Sequence, residues 1–308
     1  MDELRSERRA KRRRRSPLKT ILRLVVVAVL AVIAYGVFSY WQGTQLADGA
    51  AASETFEGTE YTDGRMNVLL LGVDSRGEEQ ARTDTMMIAS WDPETNDVRL
   101  VSLMRDIYAT IPGYQSYKLN TAYYLGGAEL TRQTVEGMFG VPLHHYALID
   151  FTSFETMVDI VAPSGIEIDV EKDMSEEIGV ELKQGVHQLN GQELLGYARF
   201  RKDEEGDFGR VRRQQVVIEA LSNEMTSVST IHRLPKFAGA LNGYIQTDIE
   251  SREKLNYLLD VITGGSLEVE RLTIPQEGAY RYNSYSHAGS VIEIDQEAAR
   301  TAISDFLK

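Results

Sequence analysis

"RMNVLLLGVD", residues 65–74, is a continuous apolar run that ends in glycine and aspartate. A run of this length and composition is typical of a central strand that is buried on both faces of its sheet. Two further strand patterns follow at 84–92 and 97–106, joined by the turn-like sequence "PETN". These three segments predict the centre of a β-sheet.

Helical and strand patterns alternate through the rest of the sequence. Helical spacing of apolar residues occurs at 127–140, 152–161, 189–200, 207–225, 250–263 and 295–307. Strand patterns lie at 145–151, 164–170, 267–274 and 290–295. We expect Thr152 or Ser153 to cap the second of these helices and Asp207 to cap the fourth. The alternation predicts one α/β domain, residues 65–308, with helices covering a central sheet.

The N-terminal residues differ from the rest of the chain in charge. Residues 1–23 contain ten lysines and arginines against three acidic residues, a net charge of +7. The chain as a whole has a formal net charge of -13, so the remainder carries -20. Residues 24–41, "LVVVAVLAVIAYGVFSYW", contain no charge, and as a helix they would extend about 27 Å, close to a bilayer's hydrocarbon thickness. We predict a cytoplasmic tail, a transmembrane anchor and a body outside the cytoplasm.

Two other interpretations of the N-terminus are less well supported. A cleaved signal peptide would have an unusually long apolar core, and the small residues at 47–53 form only a loose cleavage signal. A nucleic-acid-binding tail would not need the apolar span that follows it, so we expect no nucleic-acid partner. Residues 42–64 are small, polar and acidic, which predicts a linker between membrane and domain.

The sequence excludes several kinds of catalytic site. It contains no cysteine, so a zinc-thiolate site and a cysteine nucleophile are both impossible. No P-loop or GxGxxG sequence follows the first strand, and there is no GxSxG elbow of a serine hydrolase. His144 and His145 are adjacent without a third histidine at metal-ligand spacing, which favours packing or turn roles.

Two aspartates lie where strand patterns end or begin. Asp74 ends the first strand, and Asp84 opens the second in "RTDT". Mg²⁺, or Mn²⁺ in its place, often binds one or two carboxylates together with the phosphates of a substrate. Asp74 and Asp84 are therefore candidate metal ligands, and the alternative is that both only cap turns.

Two arginines also lie near the ends of strand patterns. Arg82 precedes Asp84 by two residues, so on an extended backbone both side chains point to one side. Arg105 follows the third strand pattern in "SLMRD". The planar guanidinium matches the oxygens of a phosphate in a bidentate way, so these residues are candidate phosphate ligands.

The stretch "ARFRKDEEGDFGRVRRQQ", residues 198–215, concentrates positive charge in an acidic protein. Arg199 and Arg201 alternate, so both would share a side if this stretch is extended. On the helix that follows, the spacing i, i+3, i+4 predicts one face for Arg210, Arg213 and Gln214. Several arginines with Mg²⁺ would form a pyrophosphate site, whereas the alternative is a solvated helix face with surface ion pairs.

Six motifs in this order resemble the LytR–CpsA–Psr family of membrane-anchored cell-wall enzymes. The match extends over residues 65–223, and the motifs read "NVLLLGVD", "RTDTMMIAS", "VSLMRDIYATIP", "YKLNTAYYLGG", "LNGQELLGYARFRK" and "DFGRVRRQQ". The resemblance implies a three-layer α/β/α domain with a central mixed sheet and an apolar tunnel for a polyprenyl chain. It also implies an arginine-lined mouth that binds the lipid pyrophosphate with Mg²⁺.

The resemblance implies functional roles for individual residues of this chain. The implied metal ligands are Asp74 and Asp84. The implied catalytic residues are Arg82, Asp84, Arg105, Arg199, Arg201 and Arg210, and the implied substrate-binding residues are Lys118, Arg213 and Gln214. Two positions depart from the family pattern: Thr83 stands where serine is common, and Met104 stands where proline is usual before the arginine.

The implied activity is transfer of a glycopolymer, such as wall teichoic acid, from polyprenyl pyrophosphate to a peptidoglycan hydroxyl. The expected partners are this lipid-linked polymer, peptidoglycan and the membrane. Alanine at Arg201 or Arg210 is expected to abolish transfer without unfolding the domain. Hydrolysis of polyprenyl pyrophosphate, lipid binding without catalysis, and transcriptional regulation are the alternatives, and the predicted topology argues against the last of them.

Overall fold

The computed structural model describes residues 17–47, 52–62, 64–74, 83–227, 229–264 and 268–308. Most of the predicted basic tail and the candidate phosphate ligand Arg82 lie outside the described residues. The strands are β1 (Met66–Val73), β2 (Thr83–Asp92), β3 (Asp97–Leu103), β4 (Tyr108–Ala109), β5 (Tyr117–Lys118), β6 (His145–Asp150), β7 (Ile166–Val170), β8 (Gly185–Leu189), β9 (Ile245–Thr247), β10 (Glu268–Ile274), β11 (Tyr280–Tyr285) and β12 (Gly289–Ile294). The helices are α1 (Pro17–Thr44), α2 (Thr121–Phe139), α3 (Phe151–Val161), α4 (Gly191–Arg199), α5 (Gly206–Thr226), α6 (Leu234–Tyr244), α7 (Ser251–Thr263) and α8 (Gln296–Phe306).

The central sheet is mixed and contains the predicted first strand at its centre. Its described strands lie in the order β10–β3–β2–β1–β6–β9. β1 pairs parallel with β6 and antiparallel with β2, and β10 pairs parallel with β3. The two neighbours of β1 satisfy its backbone on both edges, so an almost unbroken apolar sequence can be buried there. The prediction of a central strand at 65–74 is confirmed.

Helices cover both faces of this sheet. On one face, Leu69 and Leu71 of β1 belong to a core cluster that also contains Val135 of α2 and Ile303 of α8. On the other face lie α3, α4 and α5, whose buried residues form a second core cluster. Successive residues of a strand point to opposite faces, so Leu70 and Gly72 face this second helical layer. The architecture is therefore three-layer α/β/α.

Several helix boundaries differ from those that the sequence predicts. α2 begins at Thr121 rather than at 127, and the predicted start coincides with an interruption of the helix at Gly126 and Gly127, whose backbone angles are not helical. α3 is capped by Asp150, whose carboxylate accepts a hydrogen bond from the backbone nitrogen of Ser153, so the assignment of the cap to Thr152 or Ser153 is wrong. The residue that precedes α5 is Glu205, which leaves Asp207 inside the first turn.

The α1 helix continues past the predicted end of the membrane span at 41 and packs against α6. Residues Leu24–Thr44 are long and apolar enough to cross a membrane, with a mean hydropathy of 2.3. Two glycines allow the two helices to approach closely: a Cβ atom on Gly43 would lie 2.0 Å from the carbonyl oxygen of Lys236, and one on Gly239 would lie 2.1 Å from that of Tyr40. The end of α1 is thus fixed to the domain.

Part of the predicted linker, residues 52–62, lies against the domain. The backbone nitrogen of Glu54 donates to the hydroxyl of Tyr146 at 2.6 Å, and the ring of Phe56 packs on the Tyr146 ring. The Glu54 carboxylate accepts from the Tyr123 hydroxyl and from the backbone nitrogen of Ala128, both at 2.7 Å. This carboxylate therefore caps the second half of α2 where the glycine pair interrupts the helix.

We expect the Glu54→Ala substitution to lower the free energy of unfolding by about 1–2 kcal/mol, because it removes a helix cap and leaves partly buried donors unpaired. Urea unfolding followed by circular dichroism measures this loss. The control is Glu60→Ala, which removes an exposed carboxylate from the same segment. Equal stability of the two variants would show that the Glu54 contacts do not hold this segment to the domain.

Candidate functional site

A cavity of about 340 Å³ lies between the central sheet and the layer formed by α3, α4 and α5. Most of its wall is apolar. Leu70 of β1 and Ile149 of β6 line it from the sheet, and Leu195 of α4 and Ile218 of α5 line it from the helices. Ile245, the first residue of β9, completes this apolar wall. The shape and composition suit an apolar chain rather than a polar metabolite.

Polar residues from four separate segments line the same cavity. Asp84 lies near the start of β2, and Arg105 follows β3, which is antiparallel to β2, so the two residues lie at the same edge of the sheet. The helical layer contributes four further polar residues, which are Arg199, Arg201, Arg210 and Gln214. The structure thus brings together residues that the sequence places more than a hundred positions apart.

Arg105 lies close to several carboxylates, although its buried Nε has no hydrogen-bond partner among the described residues. Its guanidinium donates to the carboxylate of Asp84, and its Nε lies 3.6 Å from the carboxylate of Asp207. Burial lowers the pKa of Arg105, but the carboxylates of Asp84, Asp207 and Asp106 outweigh that effect and raise the pKa. Arg105 is therefore a fixed positive charge at the entrance of the cavity.

Arg210 is buried with too little negative charge around it. The residue is 5% exposed, its Nη2 donates to Asp207 at 3.2 Å, and its buried Nε has no hydrogen-bond partner among the described residues. Burial and the neighbouring charge of Arg105 lower the pKa of Arg210, and Arg201 adds to this effect. An anion bound beside this buried cation would accept hydrogen bonds from its unused donors and would offset its repulsion by the neighbouring cations.

Arg199 and Arg201 occupy more open positions. Arg199 Nη2 lies 3.8 Å from the Asp74 carboxylate, and its guanidinium lies 4.7 Å from the centre of the Phe151 ring. Arg201 is half-exposed and pairs with Glu177 at 3.4 Å. Arg199 is the last residue of α4, so the extended backbone that would place Arg199 and Arg201 on one side is not present, although both residues line the cavity.

The two predicted metal ligands lie at this end of the cavity, each beside an arginine. Asp84 accepts from Arg105, and Asp74 lies near Arg199. In the part of the chain that the structure describes, no group of three or more histidine, aspartate or glutamate side chains could hold a metal ion. The buried hydroxyl of Thr83, next to Asp84, has no hydrogen-bond partner among the described residues. A Mg²⁺ ion held by these two carboxylates would need its other ligands from substrate and water.

Two predicted substrate-binding residues lie outside the cavity. Lys118 donates to the Asp106 carboxylate at 2.8 Å, so it is separated from Arg105 by one acidic residue. Arg213 is fully buried: its guanidinium pairs with Asp203, donates to Glu171 at 2.7 Å and to the carbonyl oxygen of Phe200 at 3.1 Å.

The prediction that Arg213 shares the face of Arg210 and Gln214 is wrong. An α-helix turns about 100° per residue, so Gln214 lies about 40° to one side of Arg210 and Arg213 about 60° to the other side. The cavity lies on the side of Gln214 and Ile218. On the opposite side, Glu171 accepts from both Arg212 and Arg213, at 2.8 and 2.7 Å.

The sequence analysis missed two acidic residues at the cavity. Glu176 and Glu177 lie between β7 and β8 and line the cavity near Arg201. Glu177 also pairs with Lys202 at 2.8 Å, and its backbone has a positive φ of 62°. No motif marks these residues, so only the approach of their loop to the arginines identifies them.

Comparisons with known proteins agree on the family. The LytR_cpsA_psr family model matches residues 37–303. The regulatory protein MsrR of Staphylococcus aureus is 44% identical over 279 residues, which cover 90% of this chain and 85% of that protein. The polyisoprenyl-teichoic acid–peptidoglycan teichoic acid transferase TagU of Enterococcus faecalis is 33% identical over 251 residues, which cover 78% of this chain and 81% of that protein.

A solved structure has the same fold. The crystal structure of TagV from Bacillus subtilis superposes with a TM-score of 0.67 at 29% identity, covering 80% of this chain and 98% of that chain. The match of the family model extends from the end of α1 to α8 and includes every described residue of the arginine-lined cavity. The chain therefore belongs to the LytR–CpsA–Psr family.

Proposed function

We propose that this protein transfers a glycopolymer, such as wall teichoic acid, from polyprenyl pyrophosphate to a sugar hydroxyl of peptidoglycan. The observation that carries this proposal is the buried, incompletely paired guanidinium of Arg210 at the polar end of an apolar cavity. A polyprenyl pyrophosphate has the matching chemistry, because it joins a long apolar chain to a concentrated negative charge. The name of the TagU relative supports the same activity.

The two parts of the cavity would hold the two parts of this donor. The apolar wall between the sheet and α3–α5 would bind the polyprenyl chain, and desolvation of that chain would supply binding energy. Arg105, Arg199, Arg201 and Arg210 would bind the pyrophosphate. Arginine suits this role because its planar fork can donate two parallel hydrogen bonds to phosphate oxygens.

The reaction would be a displacement at phosphorus. The acceptor hydroxyl attacks the sugar-bearing phosphorus, the bond from that phosphorus to the bridging oxygen breaks, polyprenyl monophosphate leaves with the bridging oxygen, and the hydroxyl proton is released to solvent. Negative charge develops on the bridging and equatorial oxygens, where arginines that are already fixed in place can stabilise it. The Asp84 carboxylate already accepts a hydrogen bond from Arg105, so we assign it to binding rather than to general base catalysis.

Mg²⁺, or Mn²⁺, would be held by Asp74 and Asp84 together with pyrophosphate oxygens. Such an ion would neutralise part of the charge on the two phosphates. Because two carboxylates fill only part of the coordination shell of such an ion, we expect it to bind much more tightly when the donor is present.

The α1 helix would anchor the domain outside the cytoplasm, at the membrane that contains the lipid donor. The basic residues before α1 favour a cytoplasmic N-terminus. The close packing of Gly43 on α6 would hold the domain near the membrane surface. Ile245 follows α6 directly and lines the apolar part of the cavity, so this part lies on the side of the domain that contacts the anchor.

A lipid-binding regulatory protein without catalysis is the second candidate, because the relative with 44% identity has the name regulatory protein. Hydrolysis of the lipid pyrophosphate, with water in place of the sugar hydroxyl, is the third. The same arginines and apolar wall would serve all three functions, so product analysis is needed to separate them.

The test uses the full-length protein in detergent with a polyprenyl-pyrophosphoryl saccharide and peptidoglycan oligomers, with and without Mg²⁺. We expect mass spectrometry to find a saccharide joined to peptidoglycan by a phosphodiester, formed in the presence of Mg²⁺ and strongly reduced by a chelator. A released saccharide phosphate without adduct would establish the hydrolase. Tight lipid binding without any product would establish the regulatory protein.

A further inference from the structure

We propose that a second cleft, beside the arginine-lined cavity, binds the glycan chain of the acceptor peptidoglycan. The cleft has a volume of about 740 Å³ and lies between the first turn of α5, the end of β10 and the start of β11. This inference rests on the proposed transferase function, because it assigns the site of the second substrate.

Three aromatic rings form one wall of this cleft. Phe208 of α5 lies against Tyr280, with ring centres 5.3 Å apart, and Tyr280 meets Tyr282 edge to face at 5.6 Å. Tyr282 is 66% exposed, so most of its ring contributes nothing to the packing of the domain. By contrast, Tyr108 and Tyr285 stack on each other with ring centres 4.6 Å apart, so each ring covers one face of the other. The exposed ring of Tyr282 is available to a ligand.

The chemistry of the cleft fits a neutral sugar chain. The C–H face of a pyranose ring is apolar and packs flat on an aromatic ring, whereas its hydroxyl groups need acceptors. Glu204 and Glu277 are exposed carboxylates at the cleft and would accept hydrogen bonds from sugar hydroxyls. The same carboxylates would repel the phosphates of an anionic donor polymer. The cleft therefore suits the acceptor and disfavours the donor.

The position of the cleft would bring an acceptor hydroxyl to the pyrophosphate. Phe208 lines the cleft and Arg210 lines the cavity, and two residues along a helix correspond to a rotation of about 200°, so they lie on opposite sides of α5. Between them is Asp207, which contacts Arg105 and Arg210. Burial and the charges of Asp207 and Asp106, together with Tyr280, raise the pKa of Tyr282. The first turn of α5 thus separates the cleft from the cavity, and Asp207 on this turn contacts two arginines of the cavity.

The experiment compares the full-length wild type with Tyr282→Ala, Tyr282→Phe and the control Tyr114→Ala. Tyr114 is also an exposed tyrosine, at 51%, but it lies between β4 and β5 and does not line the cleft. The probe is a peptide-free tetrasaccharide of alternating N-acetylglucosamine and N-acetylmuramic acid whose lactyl carboxylates are converted to amides, which keeps the chain neutral, and its binding is measured by calorimetry without donor. In transfer assays, the KM for the same acceptor is measured separately from the KM for the donor.

We expect Tyr282→Ala to weaken tetrasaccharide binding about fivefold to tenfold, as for the loss of one stacked ring, and to raise the acceptor KM by a similar factor. The donor KM is expected to stay unchanged. Tyr282→Phe retains the ring face and is expected to bind the tetrasaccharide nearly as well as the wild type. Tyr114→Ala is expected to match the wild type in both measurements.

The binding measurement separates this inference from the proposed function. Loss of tetrasaccharide binding in Tyr282→Ala, together with an absence of transfer in the wild type, would support the glycan site and contradict the transferase. Normal transfer with wild-type acceptor KM and wild-type glycan binding in Tyr282→Ala would overturn the glycan site alone. Binding of the free stem peptide but not of the tetrasaccharide would also overturn it.

Discussion

The Arg210→Ala variant is expected to transfer glycopolymer on the order of a hundredfold to a thousandfold more slowly than the wild type, the usual range for removal of one preorganised charge-stabilising donor. Arg210 is buried at the polar end of the cavity, and its Nε has no partner among the described residues. An incoming pyrophosphate would therefore meet a donor that is already desolvated and oriented. Phosphodiester formation measured by mass spectrometry at saturating donor gives the change in rate.

Loss of Arg210 is not expected to unfold the domain. The lowered pKa of Arg210 means that the folded state disfavours its charged form, so the charge costs stability rather than adding to it. Thermal unfolding of Arg210→Ala should therefore resemble that of the wild type. This combination of intact fold and lost activity distinguishes a binding residue from a structural one.

The matched control is Arg212→Ala, on the same helix two residues away. Arg212 is partly exposed and pairs with Glu205 at 3.0 Å and with Glu171 at 2.8 Å, away from the cavity. This variant should transfer at close to the wild-type rate. Equal rates for the Arg210 and Arg212 variants would mean that the buried guanidinium does not contact the reacting phosphates.

The sequence alone gives Arg201 and Arg210 the same expected effect, and the structure separates them. Both are arginines of one basic stretch, and nothing in their neighbours shows which is buried. Arg201 is half-exposed and paired with Glu177, a residue that the sequence analysis did not connect with the site. The solvent and this carboxylate already stabilise part of the charge of Arg201. We therefore expect a larger loss of transfer rate from the Arg210 substitution than from the Arg201 substitution.

The sequence predicts the central strands well because strands that are buried on both faces consist mostly of apolar residues. β1 is apolar almost throughout, and its neighbours β2 and β3 follow it after short connections. The docking of residues 52–62 leaves no such pattern, since it depends on one carboxylate, Glu54, reaching the interruption of α2. Contacts made by single polar side chains with distant backbone atoms have no periodicity from which they could be predicted.

Arg213 shows the same limit within the candidate site. Its position in the sequence, three residues after Arg210, is compatible with a shared face. The outcome is decided by Glu171 and Asp203, which approach the helix from the side opposite to the cavity. The resemblance to the family establishes the fold, but the distinction between a substrate-binding and a structural arginine requires the positions of these two carboxylates.

The Arg213→Ala variant is expected to lose about 3–5 kcal/mol of unfolding free energy, the range found when one partner of a buried ion pair is removed. Arg213 is fully buried, and the side chain of Asp203 is 4% exposed. Without the guanidinium, Asp203 would retain a buried negative charge whose remaining cation is Lys172, 3.4 Å away. Urea unfolding of the purified protein measures the loss, and the transfer rate per folded molecule should stay close to that of the wild type.

The pH dependence of this loss identifies its cause. Burial raises the pKa of Asp203, but the hydrogen bond and charge of Arg213 outweigh that effect and lower it. A lowered folded-state pKa contributes stability above the unfolded-state pKa, and this contribution disappears as the pH falls through the folded-state value. The difference in stability between the wild type and Arg213→Ala should therefore be largest near neutral pH and shrink in acid.

A double variant separates the buried charge from the lost packing. Arg213→Met with Asp203→Leu removes both charges and keeps much of the side-chain volume, and replacement of a buried ion pair by apolar residues is often neutral or stabilising. Glu171 retains Arg212 as its partner in this variant. We expect the double variant to be more stable than Arg213→Ala. If both were equally unstable at all pH values, the loss would come from packing alone, and the ion pair would not be what holds Arg213 away from the cavity.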